Sequence, residues 1–155
     1  MEDKSFLTGV ATDSHRLSSS SLEIDTNVNF EPVILPKKTI FQLISLLEQT
    51  TVYFGYDRSE IRPEFKDVLN AHAEYLAANP EMSIILEGHC DERGTVEYNL
   101  ALGERRANTV KRYLIVQGVS PSQLDTVSFG EERPAMIGSD ESVWSKNRRT
   151  EIKYQ

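Results

Sequence analysis

The sequence predicts a two-layer α/β protein: a sheet with helices on one face, preceded by a ββα segment. Three observations point there. Apolar residues recur at helical spacing in three windows. Short runs rich in β-branched and aromatic residues lie between and after them, bounded by Gly, Pro and Asn. Strand and helix patterns alternate, the rhythm of βαβ units that stack a helix layer on a sheet.

The elements follow in order. Phe6 to Ala11 reads as a strand, Thr12-Asp13-Ser14-His15 as a turn, and Arg16 to Ile24 as the returning strand. Pro36 suits the first position of a helix, and Ile40, Leu43, Ile44 and Leu47 form one apolar face of it. Thr51-Val52-Tyr53-Phe54 is a short strand. Pro63 opens a second helix with Phe65, Val68, Leu69, His72 and Leu76 inward, stopped by Asn79-Pro80. Ser83 to Glu87 is a strand ended by Gly88, and a polar loop runs from His89 to Glu97. A third helix spans Asn99 to Gln117, with Leu100, Ala107, Val110 and Leu114 inward and Gly118 closing it. Thr126 to Phe129 is a strand. In the last one Thr150, Ile152 and Tyr154 alternate with Arg149, Glu151 and Lys153.

Composition narrows the function classes. The 155 residues are 39% hydrophobic, enough for a core, and point to a soluble, acidic, globular chain. Seventeen basic and 24 acidic side chains give a net charge of -7, a poor surface for nucleic acid. No apolar stretch approaches the ~20 residues of a membrane span. The N-terminus Met1-Glu2-Asp3-Lys4 has no signal-peptide pattern. Cys90 is the single cysteine, so neither an internal disulfide nor a multi-thiolate metal site is expected.

The informative loop is Gly88-His89-Cys90-Asp91-Glu92-Arg93-Gly94-Thr95, which leaves the carboxyl end of a strand and enters a helix. Arg106 follows Asp91 by 15 residues, and Asn99 precedes Arg106 by seven, close to two helical turns. Asp91 can take an ammonium group and Arg106 a carboxylate through a two-pronged hydrogen bond, so together they suit a zwitterion such as a free amino-acid end. The plain alternative is a surface ion pair worth under ~1 kcal/mol. Arg105-Arg106 and Arg148-Arg149 read as an anion site or, more plainly, as solvated or salt-bridged side chains. Adjacent His89 and Cys90 point to opposite sides of an extended chain. They are expected to be a packed thiol and a hydrogen-bonded imidazole, not metal ligands. No nucleophile triad or carboxylate pair stands out, and no enzyme, metal or cofactor is expected.

Residues 51–155 resemble the OmpA-like domain family, in particular its peptidoglycan-associated lipoproteins. The resemblance rests on Thr51-Val52-Tyr53-Phe54-Gly55-Tyr56-Asp57, Glu87 to Thr95, Glu97-Tyr98-Asn99, Leu102-Gly103-Glu104-Arg105-Arg106-Ala107 and Ser145-Lys146-Asn147-Arg148-Arg149. It implies a mixed sheet with two main helices, and non-covalent binding of the peptidoglycan stem peptide through the zwitterionic end of meso-diaminopimelate. Asp91 and Arg106 would be the central contacts, and Asp57, Asn99 and Arg148 match supporting positions. It also implies Tol-system proteins as partners and a place at the periplasmic face of the outer membrane. Cys90 and Tyr56 depart from the family's usual Ala and Phe. The family's signal peptide and lipid-bearing Cys are not seen, so the chain is expected to be cytoplasmic as expressed, without membrane insertion.

Residues 7–49 resemble an interior piece of the middle domain of the bacterial DNA polymerase III β sliding clamp. The carriers are Gly9-Val10-Ala11-Thr12-Asp13-Ser14-His15-Arg16-Leu17 and Val33-Ile34-Leu35-Pro36-Lys37-Lys38. The expected division is therefore a clamp-like segment at 1–50 and an OmpA-like domain at 51–155, joined as a chimera. Residues 1–50 carry a net charge of -3, which argues against DNA binding. The alternatives are a folding hybrid without ligand function and a replication-related interaction protein. The apolar face at Ile40, Leu43, Ile44 and Leu47 is expected to be buried on the neighbouring domain, against its sheet or on a second chain. The short hinge at 49–51 suits segment exchange in a domain-swapped homodimer.

Overall fold

The computed structural model describes residues 37–155. The strands expected at Phe6–Ala11 and Arg16–Ile24 and the turn between them lie outside the described residues. Helix α1 is Lys37–Leu47 and strand β1 is Thr51–Tyr53. A 3-10 turn at Pro63–Phe65 leads into α2, Lys66–Ala78. Then come β2, Ile84–His89; α3, Val96–Val116; β3, Leu124–Gly130; α4, Glu141–Asn147; and β4, Arg149–Tyr154. No described helix is long and apolar enough to cross a membrane.

The expected mixed sheet is present, in the order β1-β4-β2-β3. β4 runs antiparallel to both β1 and β2, while β2 and β3 are parallel and joined through α3. One core holds the two layers together. Val52, Ile84, Leu86, Leu124 and Ile152 from the sheet meet Leu69, Ala73 and Leu76 of α2 and Ala107, Val110 and Leu114 of α3. Both long helices therefore cover the same face. The period of α2 matches expectation: Val68, Leu69, His72 and Leu76 are buried.

Glycines set how closely α3 approaches the sheet. Gly88 does not end β2, which continues to His89. A Cβ on Gly88 would lie 1.9 Å from the Gly103 carbonyl oxygen, and one on Gly103 would meet the Ser128 hydroxyl at 2.3 Å. The helix thus rests directly on the β2 backbone. That contact fixes its rotation and buries Asn99, Leu102, Gly103, Arg106 and Ala107. Leu100, expected inward, is 37% exposed because it flanks this stripe. The helix also starts earlier than expected, at Val96, because the Thr95 hydroxyl accepts from the Tyr98 N–H and caps it. Its far end closes as the sequence predicts. Gly118, with φ of 107°, donates to the Ile115 carbonyl, and Val119 donates to the Leu114 carbonyl.

α1 lies against α2. Within the one chain its apolar face is only partly covered: Ile40, Leu43 and Ile44 are 39–47% exposed, and Leu46 and Leu47 are half-buried. The junction after α1 is pinned by His72. Its Nε2 is 2.9 Å from the Gln49 carbonyl and its Nδ1 is 2.7 Å from the Tyr154 hydroxyl. A carbonyl only accepts, so Nε2 carries the proton and Nδ1 accepts from the tyrosine. Burial pushes the His72 pKa down and favours this neutral form.

His89 departs from the expectation of a hydrogen-bonded imidazole. It is buried and stacked on Phe129, and neither ring nitrogen has a hydrogen-bond partner among the described residues. Burial, with Arg149 nearby, lowers its pKa to about 4 from an ordinary 6.5.

Two outcomes follow. Gly88→Ala should destabilise the fold by about 3 kcal/mol or more, because overpacking already costs ~1–3 kcal/mol and here a backbone carbonyl must shift; urea unfolding measures it. As pH falls from 6.5 toward 4, the unfolded chain protonates His89 before the folded one does, so stability should drop across that window. His72 acts with the same sign. In His89→Phe the stability–pH curve between those values should be flatter than in the parent.

Candidate functional site

A cleft of about 360 Å³ opens where the loop after β2 meets the start of α3 and the turn after β1. Its walls include Tyr56, Asp57, Cys90, Asp91, Arg93, Tyr98, Asn99, Arg106 and Arg148. All five residues singled out in the sequence, Asp57, Asp91, Asn99, Arg106 and Arg148, therefore line one cavity.

Arg106 forms the floor and is 0% exposed. Its Nε donates to the Arg58 carbonyl at 2.8 Å, Nη1 to the His89 carbonyl at 2.8 Å, and Nη2 to the Gly55 carbonyl at 3.1 Å. Nη1 also lies 3.3 Å from the Cys90 sulfur. Among the described residues no carboxylate pairs with it within salt-bridge distance. Burial lowers its pKa, but a guanidinium stays protonated in proteins. The floor thus carries a fixed positive charge held by neutral dipoles, which raises the affinity of the cleft for an anion.

Asp91 stands in the wall, 4% exposed. Its Oδ1 accepts from the Arg93 backbone N–H and from Arg93 Nε, both at 3.1 Å. Its Oδ2 accepts from Arg93 Nη2 at 2.6 Å and from Arg148 Nη1 at 3.2 Å. Burial alone would raise its pKa; the bonds from Arg93 and Arg148 outweigh that and hold it below the usual carboxylate range. It is a carboxylate at neutral pH.

Arg148 is 4% exposed and joins three parts of the site. Its Nε donates to the Phe54 carbonyl at 3.2 Å, and its guanidinium bonds both Asp91 and Glu141, the latter at 2.5 Å. Asn99 is buried, with its amide nitrogen donating to the carbonyls of Asp91 and Arg93 and to Glu131 at 2.6 Å. It holds the loop in shape. Asp57 is exposed and sits at φ of 53°, a left-handed backbone uncommon outside glycine, where it accepts from the Tyr98 hydroxyl. Cys90 is buried between Arg106 and the Asn99 carbonyl, and burial pushes its thiol up to about 11, so it is an unreactive packing residue. No described group of His, Cys, Asp and Glu is spaced to hold a metal ion.

Several participants were not singled out in the sequence. Arg93 lies in the loop from Gly88 to Thr95, where no role is assigned to it from sequence. Its guanidinium carbon is 4.0 Å from the ring centres of both Tyr56 and Trp144. Trp144 and Glu141 belong to α4, which was not expected. Its signal is Asp140 before Glu141: the Asp140 carboxylate accepts from the Val143 N–H and caps the helix.

A four-stranded mixed sheet with two helices on one face, and a polar cleft at the carboxyl end of its second strand, define the class. Residues 53–148 match the OmpA family, and the chain belongs to it. Within that family the chain is similar to the peptidoglycan-associated lipoprotein of Pseudomonas putida, 57% identical over 104 residues, 67% of this chain and 62% of the relative. It is 53% identical to the lipoprotein of the same name from Pasteurella multocida, over 67% of this chain and 69% of the relative. The match thus spans about three-fifths of the length of the P. putida relative. The crystal structure of the peptidoglycan-associated lipoprotein from Burkholderia pseudomallei superposes with a TM-score of 0.70 at 43% identity, covering 71% of this chain and 93% of that one.

The role of Arg106 as a structural cation is open to measurement. Arg106→Met should cost about 3 kcal/mol or more, since the carbonyls of Gly55, Arg58 and His89 lose their donor. Arg105→Met, on the exposed side of the same helix, should stay within about 0.5 kcal/mol. Denaturant unfolding of the two variants side by side distinguishes them.

Proposed function

We propose that this chain is a non-catalytic binding module for peptidoglycan. It would hold the stem peptide by the free zwitterionic end of meso-diaminopimelate. One observation carries the reading: a single cleft sets a buried carboxylate, Asp91, beside a buried guanidinium, Arg106, that has no carboxylate of its own among the described residues. Such a pair favours a ligand carrying both an ammonium and a carboxylate. The similar lipoproteins, peptidoglycan-associated by name, agree in kind. The OmpA family is non-enzymatic, and so is this member.

In this reading Asp91 accepts from the ligand ammonium. Arg106 attracts the ligand carboxylate mainly by charge, because its N–H groups are largely committed to backbone carbonyls. Arg148 holds Asp91 ionised, Asn99 shapes the loop, and Asp57 stands at the rim for a polar contact. The proposal extends to the periplasmic face of the outer membrane as the working site and to Tol-system proteins as further partners. The division into a sliding-clamp-like segment at 1–50 and an OmpA-like domain at 51–155, joined as a chimera and able to exchange segments in a homodimer, is likewise proposed. It rests on the residues quoted above.

Calorimetric titration with meso-diaminopimelate or a muropeptide tests the site. Asp91→Ala and Arg106→Met should each weaken binding more than tenfold, or about 1.4 kcal/mol. Unchanged affinity in both folded variants would sink the assignment.

A further inference from the structure

Asp91 has no acceptor capacity left. A carboxylate offers about four lone-pair positions, and four N–H donors occupy them here. Three of those donors belong to Arg93 and one to Arg148. The Arg93 guanidinium meets Asp91 edge-on with two parallel bonds. Its faces lie against the rings of Tyr56 and Trp144, with Glu141 Oε2 at 3.9 Å. A cation with this surround, a carboxylate along one edge and aromatic rings on its faces, is in a built cation site. Arg148 is 4% exposed and tied to Phe54 and Glu141, whereas the Arg93 side chain is 28% exposed. Of the two arginines on Asp91, Arg93 is the one with a path to solvent.

We infer that Arg93 is the resident cation of the ammonium position and the residue that makes the cleft selective for a zwitterion over a simple amine. This rests on the reading of the cleft as a diaminopimelate site. An incoming ammonium reaches Asp91 only when the Arg93 side chain leaves. A plain amine that does so costs the guanidinium its short, two-bond pair with Asp91 and leaves it only the longer contact to Glu141. A zwitterion brings a carboxylate of its own, and the released Arg93 pairs with it. The exchange is then ion pair for ion pairs, with no charge left alone. Arg106 adds to the same preference from the floor, but it does not block the amine. The Tyr56 and Trp144 rings guide the movement, because a guanidinium can slide across an aromatic face while keeping part of its attraction.

The test compares two probes on the full chain by NMR titration. meso-Diaminopimelate carries ammonium and carboxylate together, and Nα-acetyl-lysine amide presents a similar ammonium without the carboxylate. Arg93→Met keeps the side-chain bulk and removes the charge. The expected result is that the variant binds the lysine amide several-fold tighter than the parent. Its preference for diaminopimelate over the amide should fall about tenfold, the scale of one partly exposed ion pair with its aromatic contacts. An unchanged ratio overturns the inference. A second readout needs no ligand. Trp144 is the single tryptophan, and Arg93 lies on its ring. Its emission should shift in Arg93→Met and also in Asp91→Asn, which loosens Arg93 without touching the indole. Emission unchanged in Asp91→Asn overturns the resident-cation role. If neither probe binds parent or variant, the diaminopimelate reading fails, and the emission measurement alone decides the place of Arg93.

Discussion

A buried guanidinium held by three backbone carbonyls organises this domain's working end. Arg106 reaches from the middle of α3 to Gly55 and Arg58 in the turn after β1 and to His89 at the end of β2. Those segments are far apart in sequence and share no ladder hydrogen bonds at these points. A charge removed from water at this depth is costly unless its donors are satisfied. Here carbonyl dipoles satisfy it without neutralising it. The consequence is a rigid junction with a standing positive potential, so structural and electrostatic roles fall on one side chain. The second arginine, Arg148, repeats the device with a different outcome. It joins Phe54, Asp91 and Glu141, and carboxylates cancel its charge. The cleft therefore has a neutralised wall and a charged floor.

Close backbone packing makes that junction possible. With Gly88 and Gly103 in contact, α3 comes near enough to β2 for Arg106 to reach the His89 carbonyl and for Asn99 to reach those of Asp91 and Arg93. A helix held farther off by ordinary side chains would bring neither to the loop. The positive potential thus depends on two residues with no side chain at all.

Much of this was legible in the sequence, and the failures have physical reasons. α2 announced itself through Val68, Leu69, His72 and Leu76, because a helix on a sheet must bury a stripe of period 3.6. β4 announced itself through Ile152 and Tyr154. Leu100 misled because hydrophobicity normally sets a helix's rotation, whereas in α3 the two glycines set it. α4 has only Val143 buried among its apolar residues, too little for any period to show. Asp91 and Arg106 were located in the right loop and helix. Their actual partners, carbonyls for Arg106 and the two arginines Arg93 and Arg148 for Asp91, depend on where separate segments meet. No spacing rule contains that information.

The position of β4 carries a kinetic consequence. It is the last of the described strands, yet it lies between β1 and β2. Its arrival closes a loop from Phe54 to Arg148, whose backbone N–H and carbonyl bond at 2.9 Å. Until that happens the sheet is two separate pieces, and the cleft lacks one wall. Contacts so distant in sequence form late, because chain entropy must be given up before they return any energy. During synthesis the cleft is therefore incomplete until Arg149–Tyr154 has left the ribosome. A chain without β4 can hold the β2-α3-β3 unit but not the cleft, which exists only once β4 is in place.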